Sequence, residues 1–252
     1  MPSVKATVII LARAGSKGLP GKNAMDIAGK PCIAWTIEAA QAAACAGRVV
    51  VSTDGPELAD IARKWGADVH ERSAELASDT ATVDAAARSC LAWLDARSGA
   101  GEQVAAGQPS VLLYANVPVR PANLIDQAVE LLISGGADSV QSYQPSGKHH
   151  PFWTARVSAD GDVSPWQGDV LNHNIFRRQD LPPAYLPDGG IIAVTRAALT
   201  LTRGAPPGPH AFFGVKRRGV INPTGSVVDI DDRIDAIVAA AVLNERLACV
   251  GA

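Results

Sequence analysis

The run Leu11-Ala12-Arg13-Ala14-Gly15-Ser16-Lys17-Gly18-Leu19-Pro20-Gly21-Lys22-Asn23 puts three glycines and three cations into one segment, directly after an aliphatic stretch. Glycines let backbone amides approach a phosphate closely, and Arg and Lys neutralise the charge it brings. A triphosphate fits this chemistry. Two common phosphate loops are excluded: five residues separate Gly15 from Gly21 where a Walker A loop has four, and Asn23 stands where Ser or Thr would hold magnesium. The G-x-G-x-x-G fingerprint of nicotinamide enzymes is also missing. A second constellation is Asp229-Ile230-Asp231. If Val227–Ile230 is a strand, an i, i+2 pair carries both carboxylates on one face. Such a pair suits magnesium, which takes oxygen ligands and bridges acids to phosphate oxygens. Spacing alone equally allows these acids, with Asp232, to cap the helix that follows.

These residues need elements to hold them. Aliphatic runs at Thr7–Leu11, Arg48–Ser52, Ser110–Ala115 and Ser139–Tyr143 alternate with stretches of helical period, which predicts βαβ units around a mostly parallel sheet. The glycine-rich loop then follows the first strand, where open α/β sheets bind ligands. The first helix is expected from near Pro31, with Ile33, Ile37 and Ala40 on one face. Asp54 reads as the cap of a second helix that carries Leu58, Ile61 and Trp65. A further helix is expected around Leu124–Leu132, and Ser98–Pro109 reads as a surface loop.

From about 141 to 187 the helical period vanishes, which suggests a β-rich insertion with a hairpin from Trp153–Val157 through Asp160-Gly161 to Val163–Trp166. Such a hairpin is marginal alone, and a partner subunit would supply a packing surface. The core resumes with strands at Gly190–Thr195 and Val227–Ile230. A last helix from Asp232 to about Leu247 has Ile234, Ile237, Ala241 and Leu243 near one stripe. The whole reads as a single domain, 1–252, with one insertion.

With 252 residues, 47% hydrophobic, 19% charged and a net charge of −2, the composition is that of a globular protein with a sizeable core. No sequence-wide basic field exists for nucleic acid, although a local cluster can hold an anion. The four cysteines, Cys32, Cys45, Cys90 and Cys249, form no C-x-x-C pair and are expected buried and reduced. Val8–Ala12 is too short for a signal sequence or a membrane span, so a cytoplasmic protein without a membrane partner is expected.

The Leu11–Asn23 segment resembles the A-R-x-x-S-K-G-x-P-x-K-N signature of the acylneuraminate cytidylyltransferases, the family that makes CMP-sialic acids. Val49–Asp54, Glu75–Thr80, His149-His150-Pro151, Arg178–Pro182 and Asp229–Asp231 resemble further blocks of that family, in its order and at similar spacing. The resemblance implies a Rossmann-like α/β nucleotidyltransferase core with a small dimerisation insertion, and a homodimer. It implies transfer of a cytidylyl group from CTP to the anomeric hydroxyl of an acidic 2-keto sugar, with pyrophosphate leaving.

By position, Leu11, Ala12, Arg13, Gly15, Ser16, Lys17, Lys22, Asn23 and Arg72 then contact CTP, with Arg13 and Lys22 as the main phosphate cations. Asp229 and Asp231 match the family's D-x-D and would hold Mg2+. Arg178, in a block that reaches a neighbouring subunit's cleft, would meet the sugar carboxylate, as a guanidinium can bidentately. Tyr114, Asn116, Tyr185 and Asp188 would line the sugar pocket. His149 and His150 read as solvated loop histidines.

Three places depart from the family. Where relatives read L-Q-P-T-S-P-L-R, this chain has Leu113-Tyr114-Ala115-Asn116-Val117-Pro118-Val119-Arg120, Val83 stands where close relatives carry a serine, and Asp188 replaces an asparagine. An acid facing the sugar would repel a carboxylate and favour an amino or amidino substituent, and so a modified nonulosonic acid. A nucleotidyltransferase for another sugar acid and a catalytically impaired nucleotide binder are the alternatives. No general base is assigned.

Overall fold

A computed structural model describes residues 4–15, 18–97, 105–203 and 208–250. Ser16, Lys17 and residues 98–104 of the expected surface loop lie outside them. The chain begins with β1 (Ala6–Ala12), β2 (Asp26–Ile27), β3 (Lys30–Pro31), α1 (Cys32–Ala42), β4 (Ala46–Thr53), α2 (Pro56–Lys64), β5 (Asp68–Glu71), α3 (Ala74–Ala77), α4 (Val83–Arg97) and β6 (Pro109–Tyr114). It continues with α5 (Leu124–Ser134), β7 (Ser139–Pro145), β8 (Ala155–Val157), β9 (Val163–Pro165), β10 (Tyr185–Thr195), α6 (Arg196–Leu199), β11 (Arg217–Ile221) and α7 (Arg233–Val250).

Seven strands make the central sheet, in the order β11-β7-β10-β6-β1-β4-β5. β1 runs parallel to β4 and β6, and β4 parallel to β5. β10 is antiparallel to both β6 and β7, while β11 is parallel to β7. The chain therefore moves outward from β1 on one side and returns on the other, making β1 a topological switch point, where open α/β sheets bind ligands.

β1 is buried on both faces, and its alternation divides the core. Val8, Ile10 and Ala12 pack with Ile33 and Ile37 of α1 and Leu124, Ala128 and Leu132 of α5. Ile9 and Leu11 point the other way, onto Ala86, Ala87 and Leu91 of α4 and onto Phe212 and Phe213. A smaller third cluster joins Ile27 and Cys32 to Val119, Ile230, Ala236, Ala239 and Leu243, and so clamps α7 against the β2–β3 ribbon.

The first helix starts near Pro31 as expected: Pro31 closes β3 and holds the cap position (φ −54°, ψ 138°), and α1 runs from Cys32. Three other sequence expectations need correction. Val227–Ile230 is not a strand: Val228 makes only an isolated bridge to Val119, and Ile230 N donates to Asn116 O at 2.8 Å. The sheet edge is taken by β11 instead. On α7 the inward residues are Ala236, Ala239 and Leu243, while Ile234 and Ile237 are exposed. Cys32 and Cys90 are buried as expected, but Cys249 is exposed; all four thiols are free.

The expected hairpin forms as β8–β9, paired Val157 to Val163. The rest of the 146–184 arm is short 3-10 turns tied together by side chains. Trp153 Nε1 donates to Ile175 O at 2.8 Å, and the Phe152 ring stacks on His173 with centroids 3.9 Å apart. Val157, Val163, Trp166 and Phe176 are exposed on this arm, among charged residues such as Arg156, Asp160 and Arg177.

Candidate active site

After β1 the backbone turns into the glycine-rich loop, and its ends are tethered from elsewhere in the fold. Ala14 N donates to Asp54 Oδ1 at 2.9 Å, and Asn23 Nδ2 donates to Arg13 O at 2.9 Å. Asp54 is therefore a brace for this loop rather than a helix cap. The cap position of α2 is Gly55, whose own N–H is accepted by Thr53 Oγ1. Lys22 crosses to the far segment of the chain, donating from Nζ to Ile230 O and to Asp231 Oδ1, the latter at 2.8 Å. Gly18 lies against that segment: a Cβ there would sit 2.6 Å from the backbone oxygen of Asp231. Only glycine lets the loop come so close.

A cavity of about 480 Å³ opens between this loop and α4, lined by Leu11, Arg13, Gly18, Lys22, Asn23 and Arg72. Tyr114, Asn116 and Asp231 close its other side. Arg13 pairs with Asp79 at 2.9 Å across an exposed edge. Arg72 is held by Ser52, through its backbone oxygen at 2.8 Å and its hydroxyl at 3.3 Å. The Asn23 side-chain oxygen is buried with no hydrogen-bond partner among the described residues. Ala12, by contrast, is fully buried in the core, so only its backbone is near the loop. Gly15 lies outside this lining.

A second cavity, about 1050 Å³, lies on the other side of the Asp229–Asp231 segment. Arg178, Tyr185 and Asp188 line it as expected, with Lys148, Gly189 and Asp229. Tyr114 and Asn116 do not: the fold puts both in the smaller cavity, because β6 ends beside β1, with Tyr114 opposite Leu11. His149 and His150 both line the larger cavity. His150 is buried, accepting from Phe152 N and lying 3.0 Å from Pro182 O, so it builds the arm.

Asp188 does not present its charge to this cavity. Its carboxylate turns inward, accepting from Ser142 Oγ, from Gly190 N at 3.0 Å and from Asn222 Nδ2 at 2.7 Å. The repulsion argued from sequence therefore has no group to act through. Beneath it lies Arg120, buried, whose three guanidinium nitrogens have no hydrogen-bond partner among the described residues. Burial pulls this guanidinium down to about 10, against the charges of Cys32, Asp229 and Asp188. Nothing in the sequence marks Arg120, between Val119 and Pro121 after β6, as a buried cation, since arginines are mostly exposed.

Between the two cavities stands the acidic junction. Asp229 Oδ1 accepts a short hydrogen bond from Asn116 Nδ2, and that amide also donates to Ile230 O at 3.1 Å. Gly189, at φ +76°, lets the chain pass Asp229: a Cβ there would lie 3.1 Å from the carboxylate. Burial, then the charge of Asp231, pushes Asp229 up to about 6, with Lys22 opposing. A carboxylate so loaded with negative neighbours fits a divalent cation, and Asp231 offers a second oxygen donor that is 78% exposed. Among the described residues no group of three His, Cys, Asp or Glu converges, so any further ligands would be phosphate or water oxygens. Asp232 caps α7, its Oδ1 accepting from Ile234 N and Asp235 N.

A cytidylyltransferase family model matches residues 7–144. The chain is 32% identical to CMP-N,N'-diacetyllegionaminic acid synthase of Legionella pneumophila, over 92% of this chain and 93% of that protein. It is 32% identical to N-acylneuraminate cytidylyltransferase of Oncorhynchus mykiss, over 92% of this chain but only 48% of that protein, so it spans about half the relative's length. Among solved structures it superposes on CMP:2-keto-3-deoxy-manno-octonic acid synthetase complexed with CTP at a TM-score of 0.67 and 18% identity, covering 96% of this chain and 99% of that one. A 4-diphosphocytidyl-2C-methyl-D-erythritol synthase aligns at a TM-score of 0.65 and 12% identity, over 95% and 98% of the two chains. These two likenesses concern the fold.

A glycine-and-cation loop at the switch point of a mostly parallel sheet, facing a carboxylate pair, makes this a nucleotidyltransferase by fold and site. The chain belongs to the cytidylyltransferase family.

Proposed function

We propose that this protein transfers the CMP part of CTP to the anomeric hydroxyl of an acidic 2-keto sugar of the nonulosonic class, releasing pyrophosphate. The observation that carries this reading is the pair of cavities meeting at Asn116, Asp229 and Asp231, with cations on both sides of the acids. CTP occupies the smaller, its phosphates against Arg13, Lys22 and the loop backbone. The sugar acid occupies the larger, its carboxylate near Lys148 and Arg178. The name of the Legionella relative supports a nonulosonic acceptor.

In the reaction, the acceptor oxygen bonds to the α-phosphorus, the bond from that phosphorus to the bridging oxygen breaks, and pyrophosphate departs. The proton of the acceptor hydroxyl passes to water. Held by Asp229 and Asp231, magnesium would offset charge on the triphosphate and favour ionisation of the acceptor hydroxyl. Lys22 holds Asp231, which lines the smaller cavity, and Asn116 holds Asp229, which lines the larger. Positioning is the main contribution of the chain.

The reading extends to a homodimer formed through the 146–184 arm, supported by the exposed Val157, Val163, Trp166 and Phe176. A cytoplasmic location is in keeping with four unpaired cysteines, and no helix among the described residues is long and apolar enough to cross a membrane. The test incubates purified protein with CTP, magnesium and a panel of sialic, legionaminic, pseudaminic and shorter ulosonic acids, following pyrophosphate release. Release with one or more nonulosonic acids is expected; none with any acid overturns the proposal.

A further inference from the structure

We infer that His70 is a positioning residue for the nucleotide cavity: through the hydroxyl of Ser52 it sets the side chain of Arg72. The inference rests on reading the smaller cavity as the CTP site. Ser52, next to the end of β4, lies opposite His70 in the β4–β5 register, and Arg72 N continues that pairing by donating to Thr53 O at 2.7 Å. His70 and Arg72, two apart, share one face of the strand. Arg72 Nη2 donates to Ser52 O at 2.8 Å, and Nε to Ser52 Oγ at 3.3 Å.

With its oxygen accepting from the guanidinium, the hydroxyl has one proton to give, and His70 Nδ1 lies 3.0 Å away. That leaves the ring proton on Nε2, which faces Ser89 Oγ of α4 at 3.5 Å. Trp93, with its ring centroid 5.6 Å from that of His70, packs against the imidazole. The chain Ser89–His70–Ser52–Arg72 is satisfied only by a neutral histidine. A charged ring would donate from both nitrogens, leaving Ser52 between two donors and two cations side by side.

The surroundings favour the neutral form. Burial first, and the charge of Arg72 second, hold His70 below its ordinary 6.5. On this face of β4 and β5, Arg48 is paired with Asp68. From α4 come Ser89, Trp93 with Arg97 over its ring, and Cys90, whose thiol burial pushes up to about 12. Glu71 points to the opposite face, where it meets Arg63 of α2. No carboxylate offsets a proton on His70 among these groups. A guanidinium locked in this way meets the triphosphate with less rotamer freedom left to lose, which bears on nucleotide affinity rather than on the chemical step.

The experiment measures CTP–magnesium affinity by calorimetry between pH 6 and 8 for the wild type, His70→Phe, His70→Asn, Arg72→Met and the His70→Phe/Arg72→Met pair, with melting curves for each. His70→Phe keeps the packing on Trp93 and loses the acceptor, so affinity should fall roughly five-fold. His70→Asn can accept from Ser52 without titrating, so it should bind like the wild type and lose the weakening that the wild type shows as pH falls. In the Arg72→Met background His70→Phe should have no effect. Unchanged affinity in folded His70→Phe, or an equal loss with and without Arg72, overturns the inference. An Arg72→Met variant that binds CTP normally removes Arg72 from the site and the inference with it. A protein that shows the coupling but releases no pyrophosphate with any acid keeps this inference and loses the proposed reaction.

Discussion

Lys22 joins the two ends of the chain at the site, since it leaves the loop after β1 and donates to Ile230 O and Asp231 Oδ1 near α7. Asp231 itself is 78% exposed, so its carboxylate contributes little to stability. Asp231→Ala is therefore expected to abolish magnesium-dependent turnover while melting within about 0.5 kcal/mol of the wild type. Pyrophosphate release across a magnesium titration checks this, and full activity would place the metal elsewhere. Gly18 makes a harder demand, because a Cβ 2.6 Å from Asp231 O must push the loop and the acidic segment apart. Gly18→Ala should weaken CTP binding by roughly ten-fold, the equivalent of about 1.4 kcal/mol of strain. The types of these residues were legible in the sequence as a phosphate loop and an acid pair. Their partners were not, because Asp54 to Ala14 and Lys22 to Asp231 span sequence distances that no local pattern records. The inward turn of Asp188 was hidden for a related reason, because its partners Ser142 and Asn222 lie far from it in sequence.

At the scale of elements, the edge strand β11 depends on one carboxylate. Asp138 Oδ2 accepts from Val215 N and Lys216 N, both at 2.9 Å, and Arg203 pairs with Oδ1 at 3.1 Å. Burial pushes this carboxyl up, but the two amides together with Arg203 and Lys216 outweigh it and hold the group below its ordinary 3.8. A depressed acid stabilises the fold fully above its unfolded value, and that stability is lost as pH falls below 3.8 through the lower folded value. Asp138→Ala should lower stability at neutral pH by about 1–3 kcal/mol, and the difference from wild type should shrink in acid denaturation curves below pH 4. A constant difference at all pH values would mean that the charge is idle. β11 escaped sequence reading because Arg217-Arg218-Gly219 breaks any strand pattern, whereas the parallel strands β1, β4 and β6 read as aliphatic runs. Val227–Ile230 carries the same aliphatic signal, but its pairing is limited to the loop after β6. On α7 the helical period was right and its phase wrong, since apolar residues lie on more than one face.

For the molecule as a whole, the proposed dimer rests on exposed apolar side chains of the arm between β7 and β10. Phe176 is 82% exposed, Val157 and Val163 pair on one face of the hairpin, and Trp166 lies on the other beside Arg156. Arg178 is two residues beyond Phe176 and lines the larger cavity, so a partner resting on the arm would stand close to the acceptor site. Burying a Phe and a Trp in a symmetric interface is the kind of contribution that anchors dimers. Sedimentation at micromolar concentration is expected to give a dimer, and the double variant Trp166→Asp/Phe176→Asp a monomer with an unchanged melting transition for its core. Because Arg178 and Lys148 are held only by the short turns of this arm, the monomer should keep its affinity for CTP and show a raised KM for the sugar acid. That split separates a structural interface from one that orders the acceptor cavity. A wild type that sediments as a monomer with full turnover would assign these apolar side chains to some other contact and leave each active site complete within one chain.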